Sequence, residues 1–417
     1  MSPPVKLRIL WVKAGGLLPM DVGGRIRSYQ TLRQLAKRHT VTVCTFYPAQ
    51  QPDPHEEGLR RDGLTPELIP LPIPTGRTLG EALRFLRLMT SPLPYSIVKY
   101  YTPAVRQRVR ELLTRPWDLI VCDFLVPGGL MPWRGAVPVV LFTHNFETEI
   151  WERQRRLATN PLLRWIYGEE ARKTARVEKE YAALADLVLT VSPRDTEAFQ
   201  RLVPAAKVVT IPTGVDTEYF APRADITPGP ADLVFTGSMD WMPNQDAVTW
   251  AAGEILPRLW KEFPELKFWV VGRRPSPAIQ ALGQADPRIR ITGSVEDIRP
   301  YLHQATLYVV PMRSGSGTRL KIFEAMAAGK AIVSTPVGAE GLPVTDGENI
   351  CLAADADAMA IAIRRLLGAP AERDRLGRNA RCLVEHHYGW EAVGAFFEQQ
   401  LLAACAAHRP RPAPPEC

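Results

Sequence analysis

Pro311-Met-Arg-Ser-Gly-Ser-Gly-Thr-Arg-Leu-Lys-Ile-Phe-Glu-Ala-Met-Ala-Ala-Gly329 leaves the apolar run Leu307–Pro311, crosses a Gly/Ser loop and enters a helical pattern. A short run that is apolar at consecutive positions reads as a strand buried on both faces. Gly315 and Gly317, flanked by Ser316 and Thr318, allow unusual backbone angles and a close ligand approach. The helix expected over Thr318–Ala328 opens with unpaired N–H groups and the positive end of its dipole. Arg319 and Lys321 add two cations there, so a diphosphate would meet amides, dipole and charge in one place. Glu324 lies three residues after Lys321, near the same face. A carboxylate repels phosphate but accepts hydrogen bonds from a ribose diol, which is the division of labour of a Rossmann nucleotide site. The plain alternative is a Lys–Glu pair on a solvated helix, and the strand–loop–helix context favours the nucleotide.

The same alternation runs outward in both directions. Lys6–Val12, a glycine-bearing turn, Ser28–Lys37 and Thr40–Phe46 read as strand, loop, helix, strand. Further strands are expected at Leu119–Cys122, Val137–Phe142, Leu187–Val191 and Lys207–Ile211, and helices at Leu79–Met89, Pro103–Leu113, Glu147–Tyr181 (broken near Pro161) and Pro193–Leu202. Pro222–Pro230 is rich in breakers and reads as a linker. After it the alternation restarts, with strands at Leu233–Thr236, Lys267–Val271, Ile289–Thr292, Leu307–Pro311, Ala331–Ser334 and Asn349–Leu352. The class is α/β, with two doubly wound parallel sheets in succession. Ligands of such sheets bind at the carboxyl ends of strands, and a cleft between two such domains is the expected site.

The first domain offers its own candidates. Gly23 and Gly24, in Val22-Gly-Gly-Arg25, open a helix after the first strand and can bring N–H groups against a phosphate; a tight turn is the alternative. His144 lies in Phe142-Thr-His-Asn-Phe-Glu-Thr148, at the carboxyl edge of a buried strand, with Asn145 and Glu147 as polar neighbours. Asp123 also ends a strand, where a site role and a turn cap are equal readings. Arg273, in Val-Gly-Arg-Arg-Pro275, is either a base or phosphate contact or a surface charge.

Composition narrows the class. The chain has 417 residues, 46% apolar and 23% charged, which fits a folded chain of two or three domains. No run reaches the roughly 20 apolar residues of a membrane span. Val5–Val12 is too short for a secretory signal and is broken by Lys6 and Arg8. A cytoplasmic protein is expected. The net charge of +7 favours anionic partners: nucleotides, a lipid surface or nucleic acid. No basic-aromatic interleaving supports nucleic acid. No G-x-G-x-x-G with a following acid supports a dehydrogenase. Arg153–Lys179 is rich in both signs and reads as a solvated face, with peripheral contact at the inner face of a membrane as the alternative. The six cysteines form no C-x-x-C pair and His386-His387 has no third ligand, so reduced thiols and no metal are expected. Arg409–Cys417 is proline-rich and reads as a disordered tail.

Four further stretches complete a family resemblance: Ile211-Pro-Thr-Gly-Val-Asp-Thr-Glu-Tyr-Phe220, Phe235-Thr-Gly-Ser-Met-Asp-Trp-Met-Pro-Asn244, Gly293-Ser-Val-Glu-Asp297 and Gly338-Ala-Glu-Gly-Leu342. With the 311–329 motif they make nearly the whole chain resemble the retaining glycosyltransferases of family 4, a glycogen-synthase-like, mannosyltransferase-rich group. The Gly-Ser-Gly-Thr-Arg-Leu-Lys loop resembles a subgroup active in exopolysaccharide assembly. The resemblance implies a GT-B architecture, with two Rossmann-like doubly wound domains facing a cleft. Residues 1–221 would form the acceptor domain and 222–388 the nucleotide-sugar domain. Residues 389–408 would be a terminal helix returning to the first domain, and 409–417 a tail.

It also implies roles. Glu324 is the second acid of a Glu-x7-Glu motif and grips the ribose, while Ser316 departs from the family pattern by standing at the first acidic position. Gly237, Ser238, Arg273 and Val295 would line the nucleotide, and His144 would touch the transferred sugar. Ser238–Pro257 lacks the Arg and Lys that many relatives place there, and GT-B enzymes work without a bound metal, so Arg319 and Lys321 would hold the diphosphate. The implied reaction moves a hexose from a nucleoside-diphosphate sugar, with UDP or GDP as nucleotide, to a carbohydrate or lipid-linked acceptor hydroxyl. The configuration is retained, no other cofactor is needed, and the leaving phosphate helps to deprotonate the acceptor. A GT-B epimerase or hydrolase would share the architecture.

Overall fold

Two parallel sheets carry the chain, and the strands at their centres are the apolar runs picked out above. In the computed structural model, which describes residues 6–20, 23–48, 56–71, 88, 90–223, 225–226, 229, 231–314 and 320–409, the first sheet contains β1 (Arg8–Ala14), β2 (Thr40–Pro48), β3 (Thr65–Leu71), β4 (Leu119–Asp123), β5 (Val139–Phe142), β6 (Leu187–Thr190) and β7 (Val208–Thr210). Their order is β3-β2-β1-β4-β5-β6-β7, every pair parallel. Ile9–Val12 of β1 and all of β4 and β5 are buried, which is why they read as unbroken apolar runs rather than alternating ones. β3 was not expected from the sequence. Pro66 and Pro70 interrupt it, and prolines are tolerated there because β3 is an edge strand.

The second sheet contains β8 (Asp232–Thr236), β9 (Lys267–Val271), β10 (Ile289–Gly293), β11 (Leu307–Val310), β12 (Ile332–Ser334) and β13 (Cys351–Leu352), in the order β10-β9-β8-β11-β12-β13, again all parallel. In both sheets the first strand of the set sits in the middle and the order reverses beside it. The two topological switch points therefore lie between β1 and β4 and between β8 and β11, at whose carboxyl ends α/β proteins bind ligands.

The chain divides into two units, Met1–Pro212 with Val393–Cys417, and Thr213–Ala392. The division falls ahead of the expected break after residue 221. The reason is local: Val215 forms a bridge with Gly389, and its N–H donates to Tyr388 O at 2.7 Å. The helix Trp390–Ala407 carries the chain back to the first unit, where Phe397 is fully buried against Trp11 and Phe142. The long helical stretch after β5 is two helices, Glu147–Leu157 and Pro161–Leu184, with Asn160 capping the second through Leu162 N and Leu163 N. The helical stretch after β8 runs from Met242 to Leu259 through a wider turn at Ala251–Ile255, where Pro257 removes a donor. The expected helix at 79–89 and the 409–417 tail lie essentially outside the described residues. Among those described, no helix is long and apolar enough to cross a membrane.

Candidate active site

At the switch point of the first unit, β1 and β4 place Lys13 and Asp123 opposite each other in register. Asp123 is fully buried and gathers four donors. Its Oδ2 accepts from Ser28 Oγ at 2.6 Å, from Trp11 Nε1 at 2.9 Å and from Lys13 Nζ at 3.2 Å, and its Oδ1 accepts from His144 Nε2 at 2.9 Å. Asp123 is therefore no turn cap. Burial works against its charge, but Lys13, His144 and Ser28 outweigh it and hold the carboxyl down at about 2. Burial likewise pulls His144 down to about 4, with Asp123 opposing. The imidazole is thus neutral at neutral pH, and its one proton sits on Nε2, where an ionised carboxylate needs a donor. Nδ1 is left as an acceptor, buried and without a hydrogen-bond partner among the described residues.

The ring itself is clamped. Phe124 stacks on His144 at 4.1 Å and 7°, and Lys13 Nζ lies 4.1 Å from the Phe124 centroid. Phe124 holds φ at 68°, an uncommon value for a bulky residue and one that turns its ring back over His144. Gly23 and Gly24 form the first turn of the helix Gly23–Ala36, which starts five residues earlier than its apolar spacing suggested. A Cβ on Gly24 would stand 3.0 Å from Phe124 Cζ and 3.7 Å from His144 Nδ1. The glycine thus brings the helix start against the imidazole. Asn145 is exposed. Glu147 is half-buried, and burial pushes its carboxyl up to about 7.

At the switch point of the second unit, β8 ends in Thr236 and runs into Gly237-Ser238. The helix Leu320–Ala327, after β11, presents Lys321 and Glu324. Lys321 Nζ donates to Asn244 Oδ1 at 2.7 Å and lies 4.1 Å from the centre of the Phe235 ring. Asn244 in turn donates to Ser238 O at 2.8 Å, and Arg273 Nε donates to Ser238 Oγ at 2.9 Å. Gly237 has φ near 156°, and a Cβ there would lie 2.6 Å from Asn244 Nδ2 and 2.8 Å from Lys321 Nζ. Only a glycine lets the ammonium and amide close over this strand end. Glu324 is half-exposed by surface area but hemmed in by the core, and burial pushes its carboxyl up to about 7 against the pull of Lys321. Val295, in the loop after β10, packs half-buried against the second unit's apolar core.

The structure thus draws Gly237, Ser238, Arg273 and Lys321 into one cluster, with Glu324 one helical turn on. It draws Gly23, Gly24 and His144 into another. Gly315, Ser316, Gly317, Thr318 and Arg319 lie outside the described residues. Three residues of these clusters escaped the sequence reading: Lys13 and Ser28 in the first, and the side chain of Asn244 in the second; Asp123 reads from sequence equally as a site residue or a turn cap. Lys13 carried a faint signal, a charge closing an apolar strand.

Two Rossmann-like units, each with polar groups at its switch point, define a two-domain α/β scaffold of the kind that binds ligands at strand carboxyl ends. The comparisons with known proteins give the family. Residues 23–219 match the model described as Glycosyltransferase Family 4, and residues 230–369 match that described as Glycosyl transferases group 1. The chain belongs to the GT-B glycosyltransferases of family 4. It is similar to the glycogen synthase of Mycobacterium tuberculosis, 27% identical over 262 residues that cover 60% of this chain and 62% of that protein. It therefore spans less than two thirds of that curated relative. Among solved structures it is similar to sucrose-phosphate synthase from Thermosynechococcus elongatus, with TM-score 0.68, 22% identity and coverage of 97% of this chain and 100% of that one. It is also similar to Anabaena HepE in complex with UDP-glucose, with TM-score 0.61, 14% identity and coverage of 95% and 100%. At these identities the structural likeness concerns the fold.

Proposed function

We propose that this chain is a retaining glycosyltransferase that moves a hexose from a nucleoside-diphosphate sugar, UDP- or GDP-linked, to an acceptor hydroxyl in polysaccharide or glycolipid assembly. The observation that carries the reading is the pairing of Lys321 and Glu324 on one helical turn beside the Gly237 strand end. An ammonium held by a neutral amide and an aromatic face can take a phosphate oxygen. The carboxylate one turn on accepts both hydroxyls of a ribose. Negative charge grows on the leaving diphosphate as the sugar bond breaks, and Lys321, with Arg319, stabilises it in the transition state.

In the first unit, His144 is the candidate for the sugar contact, and its Nδ1, buried beside Gly24, would have to be uncovered for a sugar hydroxyl to reach it. A neutral imidazole with its proton committed to Asp123 accepts a hydrogen bond from a sugar hydroxyl and donates none. Asp123 acts through His144 by fixing that tautomer, and Gly24 keeps the helix start close enough for its N–H groups to face a phosphate. No side chain in either cluster is assigned as nucleophile, which agrees with a front-face reaction in which the leaving phosphate takes the acceptor proton.

Thermal unfolding in the presence of UDP-, GDP- and ADP-sugars tests the donor, because a specific ligand raises Tm by mass action. One nucleotide series should raise Tm in the wild type and fail to do so in Lys321→Ala. If no nucleoside diphosphate shifts Tm, the donor assignment falls. Proton NMR of the product formed with that donor then reads the anomeric configuration, and inversion would refute the retaining mechanism.

A further inference from the structure

The two helices after β5 meet in a hairpin whose base and tip differ. At the base Glu178 accepts from Glu147 N at 2.6 Å and from Thr148 Oγ1 at 2.5 Å, and Trp151 and Tyr167 lie ring to ring at 6.0 Å. The tip, Arg153–Trp165, carries four arginines and no acidic residue. Its side chains are exposed apart from the partly covered Ala158. The outer helix, Glu147–Leu157, buries no residue at all.

A solvated tip would be polar. Here Leu157 is 70% exposed, Leu162 63%, Trp165 61% and Leu163 43%, with Ile150 at 45% just below them. These are five of the eleven large exposed apolar side chains among the described residues, gathered within sixteen positions. Scattered apolar side chains need no explanation, but a cluster does. The cations beside it are also available. Among the described residues Arg153, Arg156 and Arg164 have no ion-pair partner, whereas Arg155 pairs with Glu152 at 3.6 Å and Arg172 with Glu169 at 2.7 Å. Arg155, Arg164 and Arg172 line one groove with Trp165.

We propose that this hairpin tip seats on an anionic lipid surface. Leu157, Leu162 and Leu163 would enter the headgroup–acyl boundary. The Trp165 ring would lie at the interface, and Arg153, Arg156 and Arg164 would pair with lipid phosphates. Apolar side chains on a tip whose charged residues, from 153 to 165, are all arginines complement such a surface in both respects; Glu152 and Glu169 lie lower on the hairpin, paired with Arg155 and Arg172. Monotopic contact of this kind needs no spanning helix.

The test is flotation of the full chain with vesicles of phosphatidylcholine alone and of phosphatidylcholine containing one third phosphatidylglycerol. Binding should require the anionic lipid and weaken at high salt. Arg153→Gln/Arg156→Gln/Arg164→Gln should weaken it by at least about tenfold. Leu157→Ser/Leu162→Ser/Trp165→Ser should weaken it by a similar factor with the charge unchanged, while Ile361→Ser, an exposed apolar site on the second unit, should bind as the wild type does. The proposal is overturned if the wild type ignores the anionic lipid or if either triple variant binds unchanged. It is also overturned if light scattering finds a dimer that the leucine–tryptophan variant dissolves while vesicles bind nothing. That last result would assign the tip to a second copy of this chain.

Discussion

The two switch points share a strand order and treat a buried carboxyl in opposite ways. At the end of β4, Asp123 is held down at about 2 because an ammonium, an imidazole N–H, an indole N–H and a hydroxyl all converge on it. On the helix after β11, Glu324 is pushed up to about 7, because burial there is only partly offset by Lys321. The first carboxylate is satisfied by protein, and one of its bonds fixes the orientation of the His144 ring. The second receives no hydrogen bond among the described residues, which is the state expected of a group that meets a ligand diol. On the proposed function, preorganisation would be complete in one unit and left to the substrate in the other.

The largest effect should come from breaking the first network. Asp123→Ala leaves Lys13 as a buried cation without its anion, and removing one partner of such a pair typically costs about 3–5 kcal/mol. Urea or thermal unfolding measures it, and a loss below 1 kcal/mol would show that Lys13 is neutral or has other support. The pH dependence has a defined sign. Asp123 titrates lower in the folded chain than its ordinary 3.8, so its contribution is present above about pH 4 and fades as pH falls through about 2. The variant should lack that acid-side loss.

Lys321→Ala should follow. Loss of one preorganised donor to developing charge typically lowers turnover by about 10²–10³. Lys321 is only half-buried, so folding should change little. A variant that keeps its rate would move the diphosphate elsewhere. Smaller still is the response of Glu324. A carboxyl near 7 is mostly ionised at pH 8 and mostly protonated at pH 6, and only the ionised form accepts both ribose hydroxyls. Donor KM should therefore rise by up to about tenfold as pH falls across that range, and Glu324→Gln should flatten the profile at a raised KM.

The fold was legible in the sequence because central parallel strands must be apolar on both faces. Val137–Phe142 and Leu307–Pro311 could be read as strands without knowing their neighbours. That Lys321 and Glu324 share one helix turn was legible for a related reason, since a helix fixes the face of residues three apart. β3 was hidden by Pro66 and Pro70, whose tolerance depends on an edge position that only the sheet reveals. The Asp123 cluster was hidden by distance along the chain: Ser28 and Trp11 lie 95 and 112 residues from it, and no local pattern joins them. His144 was found as a residue at a strand end, but its bare Nδ1 and fixed tautomer follow only from the carboxylate beneath it.

Gly24 gives the smallest stability effect and the sharpest separation of the two roles. Alanine is worth roughly 1 kcal/mol over glycine within a helix, and a comparable cost arises because the new Cβ would sit 3.0 Å from Phe124 Cζ. The two nearly cancel, so Gly24→Ala should leave Tm within a few degrees of the wild type. The rate should not be spared. Phe124 can yield only by sliding on the imidazole it stacks against, and that shifts His144 Nδ1 by some tenths of an ångström. A fall in kcat of about tenfold is expected, short of the 10²-fold that a 1 Å misplacement can cost. If kcat stays at the wild-type value with Tm unchanged, the Phe124–His144 stack serves only packing, and the Asp123 network should be read as a structural core of the first unit rather than as support for the sugar contact.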